Sequence, residues 1–186
     1  MNREQISPRS PETIKAMFNA IAPTYDRLNR ILSLGLDRGW RKRAIRLLEE
    51  KRGGTILDIA TGSGDFSLDA QYLQPSTVVA TDFAFQMLRV FRQKIERRGF
   101  SGSMCLTSCD ALSLPFRSSS FDATLVAFGI RNFSDRLRAL QEMHRVLKPT
   151  GISLVLELTK PTAPVIAQCY GLYTRVLLPI IGELIS

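Results

Sequence analysis

Four carboxylates, a glycine-flanked hydroxyl and a few strand-end polar groups are the parts of this sequence with chemistry to offer. Asp58 stands just ahead of Thr61-Gly-Ser-Gly64. In that turn Gly62 and Gly64 permit positive φ and close approach of backbone to a ligand, and Ser63 adds a hydroxyl. Asp82 lies 18 residues beyond Gly64. A carboxylate near that offset can accept hydrogen bonds from both hydroxyls of a ribose. Asp110-Ala111 offers a carboxylate for an exocyclic amine and a backbone N–H for an adenine ring. Ser67 occupies the position three beyond Gly64, so the three-glycine turn that cradles a pyrophosphate is incomplete. Taken singly, Asp82 has a capping role as its lesser reading, and Asp110 reads equally well as a turn residue. Together they describe a ligand with a ribose and an adenine but no pyrophosphate.

These groups act together only if a fold gathers them at one edge. Residues 55–59 are apolar or β-branched apart from Asp58, as in a buried parallel strand. A helix capped by Asp65 should follow, with Phe66, Ala70 and Leu73 inward. Further strands are predicted at 77–81, 103–107, 121–127 and 152–158. Between them, Ala84, Leu88, Phe91 and Ile95 mark a helix closed by Gly99. Ser134 is expected to cap another, with Leu137, Leu140, Met143 and Leu147 inward and a stop at Lys148-Pro-Thr-Gly151. Strand–helix alternation of this kind predicts an α/β fold, a doubly wound, mostly parallel sheet with its ligand at the carboxyl ends of the strands. Three helical stretches precede it: one capped by Ser10-Pro11 with Ile14, Met17, Phe18 and Ile21 on one face, then 27–34, then 36–50. A last segment, 163–178, carries Ile166, Cys169, Tyr170, Tyr173, Val176 and Leu177 on one face. The chain is therefore expected to form one domain: a helical cap (1–52), an α/β core (53–160) and the start of a further region (161–186).

Composition narrows the class. The 186 residues are 45% hydrophobic, enough for a sizeable core, and no run approaches the length of a membrane span. Three cysteines without histidine partners at metal spacing argue for free thiols in a reducing, cytoplasmic setting and against a metal site. The net charge of +8 is concentrated in Arg38, Arg41, Lys42, Arg43, Arg46, Lys51 and Arg52. Trp40 is the one aromatic near that run, so no stacking platform for nucleic acid is indicated. An anionic membrane surface or a solvated helix face remains.

The segments Asp58–Asp65, Asp110–Phe116, Phe121-Asp122 and Arg145–Gly151 resemble the class I S-adenosylmethionine-dependent methyltransferases. More narrowly, Met17–Asn29, Ser33-Leu-Gly35, Trp40, Ala127-Phe-Gly-Ile-Arg-Asn132 and Glu157–Pro161 resemble the ubiquinone/menaquinone biosynthesis C-methyltransferases, and 170–182 continues the likeness. The resemblance implies that Ser63, Asp82, Asp110, Ala111 and Ala127 line S-adenosylmethionine, and Asp58, Gly62 and Gly64 are expected to bind it with them. Ser63 stands where many members have Thr. Ala127 stands where some have Ser, so a contact there must come from backbone. Members also continue past residue 186, which implies that final strands are missing here and leaves 152–158 an apolar edge.

The reaction so implied is methylation of a ring carbon in a polyprenylated quinol: a demethylmenaquinol or, alternatively, the benzoquinol of ubiquinone biosynthesis. Carbon methylation needs a quinol oxygen to gain negative charge as the methyl arrives. Arg131, just past the fourth strand, is the expected stabiliser, with Asn132 beside it; Tyr25 and Asp26 are the expected proton-handling groups. The tail of such a substrate implies peripheral membrane contact through the 38–52 basic face and the last apolar segment. A homodimer is compatible with the sequence. The rival readings are an NAD-dependent dehydrogenase, an RNA methyltransferase and a non-catalytic S-adenosylmethionine-binding assembly protein. Neither the glycine pattern nor the residues after the fourth strand favour the first two.

Overall fold

A computed structural model describes residues 10–159. The predicted segment 163–178 lies outside the described residues. Five parallel strands form one sheet: β1 (Thr55–Ile59), β2 (Thr77–Asp82), β3 (Met104–Ser108), β4 (Phe121–Ala127) and β5 (Leu147–Leu156). Their order is β3-β2-β1-β4-β5. The chain therefore winds one way from β1 to β3 and the other way from β4 to β5, and the order reverses between β1 and β4. Crossover helices cover both faces: α4 (Asp65–Asp69), continued by a 3₁₀ turn to Leu73, α5 (Phe85–Arg98) and α6 (Arg136–Val146). Ile56, Leu125, Phe66, Leu73, Phe91 and Ile95 fill one side of the sheet. Leu57, Ile59, Val126, Met143 and Val146 fill the other. This is the doubly wound parallel sheet that strand–helix alternation predicts.

Several boundaries differ from the sequence expectation for physical reasons. Gly64, with φ +83°, caps α4, and Asp65 is the first helical residue. Asp135 rather than Ser134 caps α6, its carboxylate accepting from the Arg138 N–H at 2.9 Å. That helix buries Ala139, Glu142, Met143 and Val146, whereas Leu137 and Leu140 are exposed. Glu142 disguises the inward face: its carboxylate accepts from Arg145 and from the Leu114 N–H at 2.8 Å, which satisfies it indoors. Arg145 holds its carboxyl down at about 2. Arg145 also donates to the Leu114 and Phe116 carbonyls, so the pair anchors the loop after β3. The expected stop at Lys148–Gly151 is an irregularity inside β5, which pairs with Phe121 at Leu147 and shifts register before Ile152.

The cap is three helices: α1 (Pro11–Ile21), α2 (Tyr25–Leu32) and α3 (Asp37–Arg46). Ser10 caps α1, and Phe18, Ile21, Ala22 and Tyr25 pack against Ala84, Met87 and Val90 at the head of α5. Arg41 departs from the expected basic face. It is buried and donates to Asp37, Asp65 and Asp69 at 2.5, 3.3 and 2.7 Å, tying α3 to α4. Burying one cation among three carboxylates offsets its desolvation, and removing the cation would strand them. Leu47 is exposed, while its neighbour Leu48 is fully buried. Lys94 of α5 adds a second tie, reaching Asp26 at 2.6 Å and Asp65 at 2.7 Å. The cap is thus fixed over the carboxyl edge of the sheet at β1 and β2.

Candidate functional site

Two cavities meet beneath the cap. The first opens at the order reversal and is lined by strand-end residues: Ala60 after β1, Asp82 and Phe83 after β2, Asp110 and Ala111 after β3, Ala127 and Phe128 at β4. Asn132 lines it too. The Asp82 carboxylate accepts from the Gly62 N–H at 2.8 Å and the Ala84 N–H at 2.7 Å, so it is pre-set at the mouth of β2. Burial pushes its carboxyl upward, opposed by those N–H groups. Asp110 accepts from the Leu112 N–H at 2.9 Å, an Asx turn that fixes its direction. Two carboxylates set among Ile14, Phe18, Phe83 and Phe133 suit a flat apolar body that carries hydroxyl and amine donors. The cation lining this cavity, Lys15, lies 4.4 Å from the centre of the Phe83 ring. That set of acceptors fits an adenosine and gives a pyrophosphate little to bind.

The backbone here is bent in a specific way. Ala60 and Phe128, at the ends of β1 and β4, both have positive φ, +52° and +54°. Gly129 follows Phe128 so closely under Ala60 that a Cβ on it would lie 2.9 Å from the Ala60 Cβ. Strained residues on both sides of the reversal point re-aim the two strand ends toward the cavity. Gly64 has a different duty from the one its motif suggests. A Cβ there would fall 2.0 Å from the Phe91 ring, so it is a packing glycine as well as a positive-φ glycine.

Gly62, Ser63 and Gly64 lie under α2, and none of them is among the residues lining either cavity. Tyr25 Cε1 would be 3.6 Å from a Cβ at Gly62, and the Ser63 hydroxyl donates to Asp26 at 2.5 Å. Asp26 is therefore occupied by Ser63 and Lys94. Asp58 is buried in β1, where one oxygen accepts from Thr61 at 2.7 Å and Ser67 at 2.6 Å and the other has no partner. Burial, with Asp82 nearby, pushes its carboxyl up to about 6. The folded state thus favours the protonated form over the unfolded chain, where an aspartate titrates near 4. The stability this carboxyl contributes is full below about pH 4 and is lost as pH rises through about 6. We expect Asp58→Asn, which imitates the protonated acid, to melt higher than the parent at pH 8 by up to about 3 kcal/mol. At pH 4 the two should coincide. Equal melting temperatures at both pH values would show that Asp58 does not carry this linkage.

The second cavity, about 350 Å³, is mainly apolar: Leu32, Leu34, Leu36, Trp40, Phe128 and Leu158, with Tyr25, Asn29 and Arg131 as its reactive rim. It is large enough for an aromatic ring system. Tyr25 and Phe128 line both cavities, so the two are separated by little more than their rings. Burial raises the Tyr25 hydroxyl above its usual range, a shift opposed by Asn29 and by the charge of Arg131, so it is a phenol and a donor at neutral pH. Arg131 sits on the 3₁₀ turn Ile130–Asn132 and donates to Glu157 at 2.5 Å while remaining half-exposed. Arg131 and Asn132, adjacent in sequence, thus face different cavities. Glu157, Phe128, Trp40 and Asn29 were not picked out as site residues by sequence reasoning. Glu157 alone carried a usable signal, a carboxylate at the end of the apolar run 152–158.

The sequence matches the ubiE/COQ5 methyltransferase family over residues 7–186. It is 43% identical over 190 residues to the demethylmenaquinone methyltransferase of Bacteroides fragilis, spanning 99% of this chain and 78% of that protein. Against the ubiquinone/menaquinone biosynthesis C-methyltransferase UbiE of Geobacter sp. (strain M21), identity is 44% over 177 residues, spanning 94% and 75%. Against the demethylmenaquinone methyltransferase of Thermus thermophilus it is 46% over 171 residues, spanning 91% and 77%. Among solved structures, a putative S-adenosyl-L-methionine-dependent methyltransferase of Methanococcus maripaludis has a TM-score of 0.67 at 17% identity, covering 89% of this chain and 74% of that one. The cyclase SpnF has a TM-score of 0.68 at 23% identity, covering 85% and 64%. Those two likenesses speak for the fold, which evidently hosts more than one chemistry. The near-complete family match and the sequence identities speak for more: the chain belongs to the ubiE/COQ5 methyltransferase family.

Proposed function

We propose that this protein transfers a methyl group from S-adenosylmethionine to a ring carbon of a polyprenylated quinol, with a demethylmenaquinol as the acceptor. The observation that carries this reading is the pair of cavities sharing Tyr25 and Phe128, one set with carboxylates for an adenosine and the other apolar with Arg131 on its rim. When bound, the cofactor supplies an electrophilic methyl group. Asp82 accepts from the ribose hydroxyls, Asp110 and the Ala111 N–H address the adenine, and the Ala127 backbone closes the wall. Asp58 supports the glycine turn from below through Thr61 and Ser67. Asp26 holds Ser63 and so seats the cap on that turn.

In the second cavity the acceptor ring lies against Phe128 and Tyr25, which places a ring carbon toward the donor and makes the encounter intramolecular. The Tyr25 phenol donates to a quinol oxygen. Arg131 stays charged, so it stabilises the negative charge that develops there rather than removing the proton itself. Its tie to Glu157 aims the guanidinium and leaves next to it a carboxylate that takes the quinol hydroxyl proton. The hydrogen displaced from the methylated ring carbon leaves as a proton to water when the ring regains its aromaticity.

The names of the Bacteroides and Thermus relatives favour a naphthoquinol over a benzoquinol. Offered both acceptors in reduced form, the protein should show a kcat/KM for the demethylnaphthoquinol roughly tenfold above that for the benzoquinol, about what one ring's contact area can discriminate. A preference for the benzoquinol would transfer the protein to ubiquinone biosynthesis. The acceptor's tail further implies a cytoplasmic enzyme docked on a membrane surface. The contact we propose is peripheral. Among the described residues no helix is long and apolar enough to cross a membrane.

A further inference from the structure

The turn between α2 and α3 places apolar side chains where solvent is expected. Ile31, Leu34, Leu36 and Trp40 are all exposed, Leu34 at 75% and Leu36 at 56%. Leu34 also has a φ of +52°, an uncommon and strained setting for a bulky residue. The turn is firmly built nonetheless. The Gly35 N–H donates to the Arg30 carbonyl at 2.9 Å, the Leu36 N–H to the Ser33 carbonyl at 3.0 Å, and the Ser33 hydroxyl to Asp37 at 2.7 Å. Leu34 is therefore held outward by a defined turn. Leu34, Leu36, Trp40 and Leu158 also line the second cavity, so the rim of that cavity is apolar and at the surface.

Between residues 27 and 46 the exposed charges are all basic; at the edge of the cavity Glu157 pairs with Arg131. Arg27, Arg38, Lys42, Arg43 and Arg46 are exposed, while Asp37, the acidic residue between positions 27 and 46, is buried under Arg41. An apolar tip with accessible cations on the helices to either side complements an anionic lipid bilayer: the tip suits the acyl boundary and the cations suit headgroup phosphates. A soluble acidic partner would match the cations but give Leu34 and Leu36 no reason to be presented at a strained turn.

We infer that the 31–40 turn is a membrane wedge, in which Leu34, Leu36 and Trp40 enter an anionic bilayer and the second cavity opens directly into lipid. The wedge gives the quinol reading its delivery route, and on that point alone it rests on that reading. Its test uses neither quinol nor methyl donor, so the two can fail separately.

Trp40 is the single tryptophan of the chain, and its emission reports on the wedge without labelling. With the full chain and vesicles of phosphatidylcholine mixed with phosphatidylglycerol, Trp40 emission should shift to the blue and be quenched by brominated acyl chains. Vesicle partitioning should fall at least about tenfold in pure phosphatidylcholine, and also at high salt. The variant carrying Leu34→Asp and Leu36→Asp, shown to be folded by circular dichroism, should lose at least about tenfold in partitioning and all of the blue shift. Arg97→Gln with Arg98→Gln on α5, an equal change of net charge elsewhere, should stay within about twofold of the parent. Four results would overturn the inference. Equal partitioning of the leucine variant is the first, and equal loss in the α5 variant is the second. Another is shielding of Trp40 from acrylamide before vesicles are added, which would mean that the chain's own residues 160–186 cover the turn. The last is a dimer dissociated by the leucine substitutions, which would make a second copy the occupant.

Discussion

Asp82→Ala is expected to raise the Kd for S-adenosylhomocysteine roughly hundredfold, about 3 kcal/mol, as two hydroxyl contacts to one charged acceptor are lost. The carboxylate is already oriented by the Gly62 and Ala84 N–H groups, so little of the binding energy is spent on ordering it. The same change frees those two N–H groups and should lower the melting temperature by several degrees, equivalent to about 1–2 kcal/mol. Asp82→Asn separates the two effects. It keeps an acceptor for one N–H and should recover most of the stability but little of the affinity. Calorimetry of both variants reads each quantity directly. A Kd within about threefold of the parent in a folded Asp82→Ala protein would remove Asp82 from the cofactor site.

Arg131→Ala should lower kcat by roughly a hundredfold to a thousandfold, the usual cost of removing a group that stabilises developing oxyanion charge. Cofactor affinity should hold within about twofold, because Arg131 lines the second cavity and not the first. Stability should hardly move. The Arg131–Glu157 pair is half-exposed on the arginine side, and such pairs contribute at most about 1 kcal/mol. A purely structural role would give the opposite pattern, a lower melting temperature with turnover intact. Arg131→Lys should recover only part of kcat, since an ammonium lacks the planar fork that engages Glu157 and a substrate oxygen together. Single-turnover rates with saturating quinol, set beside melting curves, decide between the two.

The strands were legible because parallel strands buried on both faces write themselves as short apolar runs. β1 and β4 fall at the expected residues, and β2 and β3 differ by one at their ends. The inward face of α6 was hidden because Glu142 is buried with its own arginine, and periodicity counts only apolar residues. Arg41 misled in the opposite direction. A cation in a basic run looks solvated, and nothing local reveals that Asp65 and Asp69, more than twenty residues on, will close around it. At the site, Asp82, Asp110, Ala111 and Ala127 share one cavity because each ends or follows a strand, and strand ends can be read from sequence. The second cavity could not be read this way. It depends on how the cap lies over the sheet, on the left-handed Phe128 and on the exposed turn at Leu34, none of which has a local pattern.

The most direct measurement is the fate of labelled methyl from S-adenosylmethionine when the protein is given a demethylnaphthoquinone in reduced and in oxidised form. Methylation driven by charge on a quinol oxygen predicts label on a ring carbon, stable to acid and base, with the reduced acceptor and none with the oxidised one. Label on oxygen, equal transfer to both forms, or no transfer by a folded protein that binds the cofactor would contradict the account.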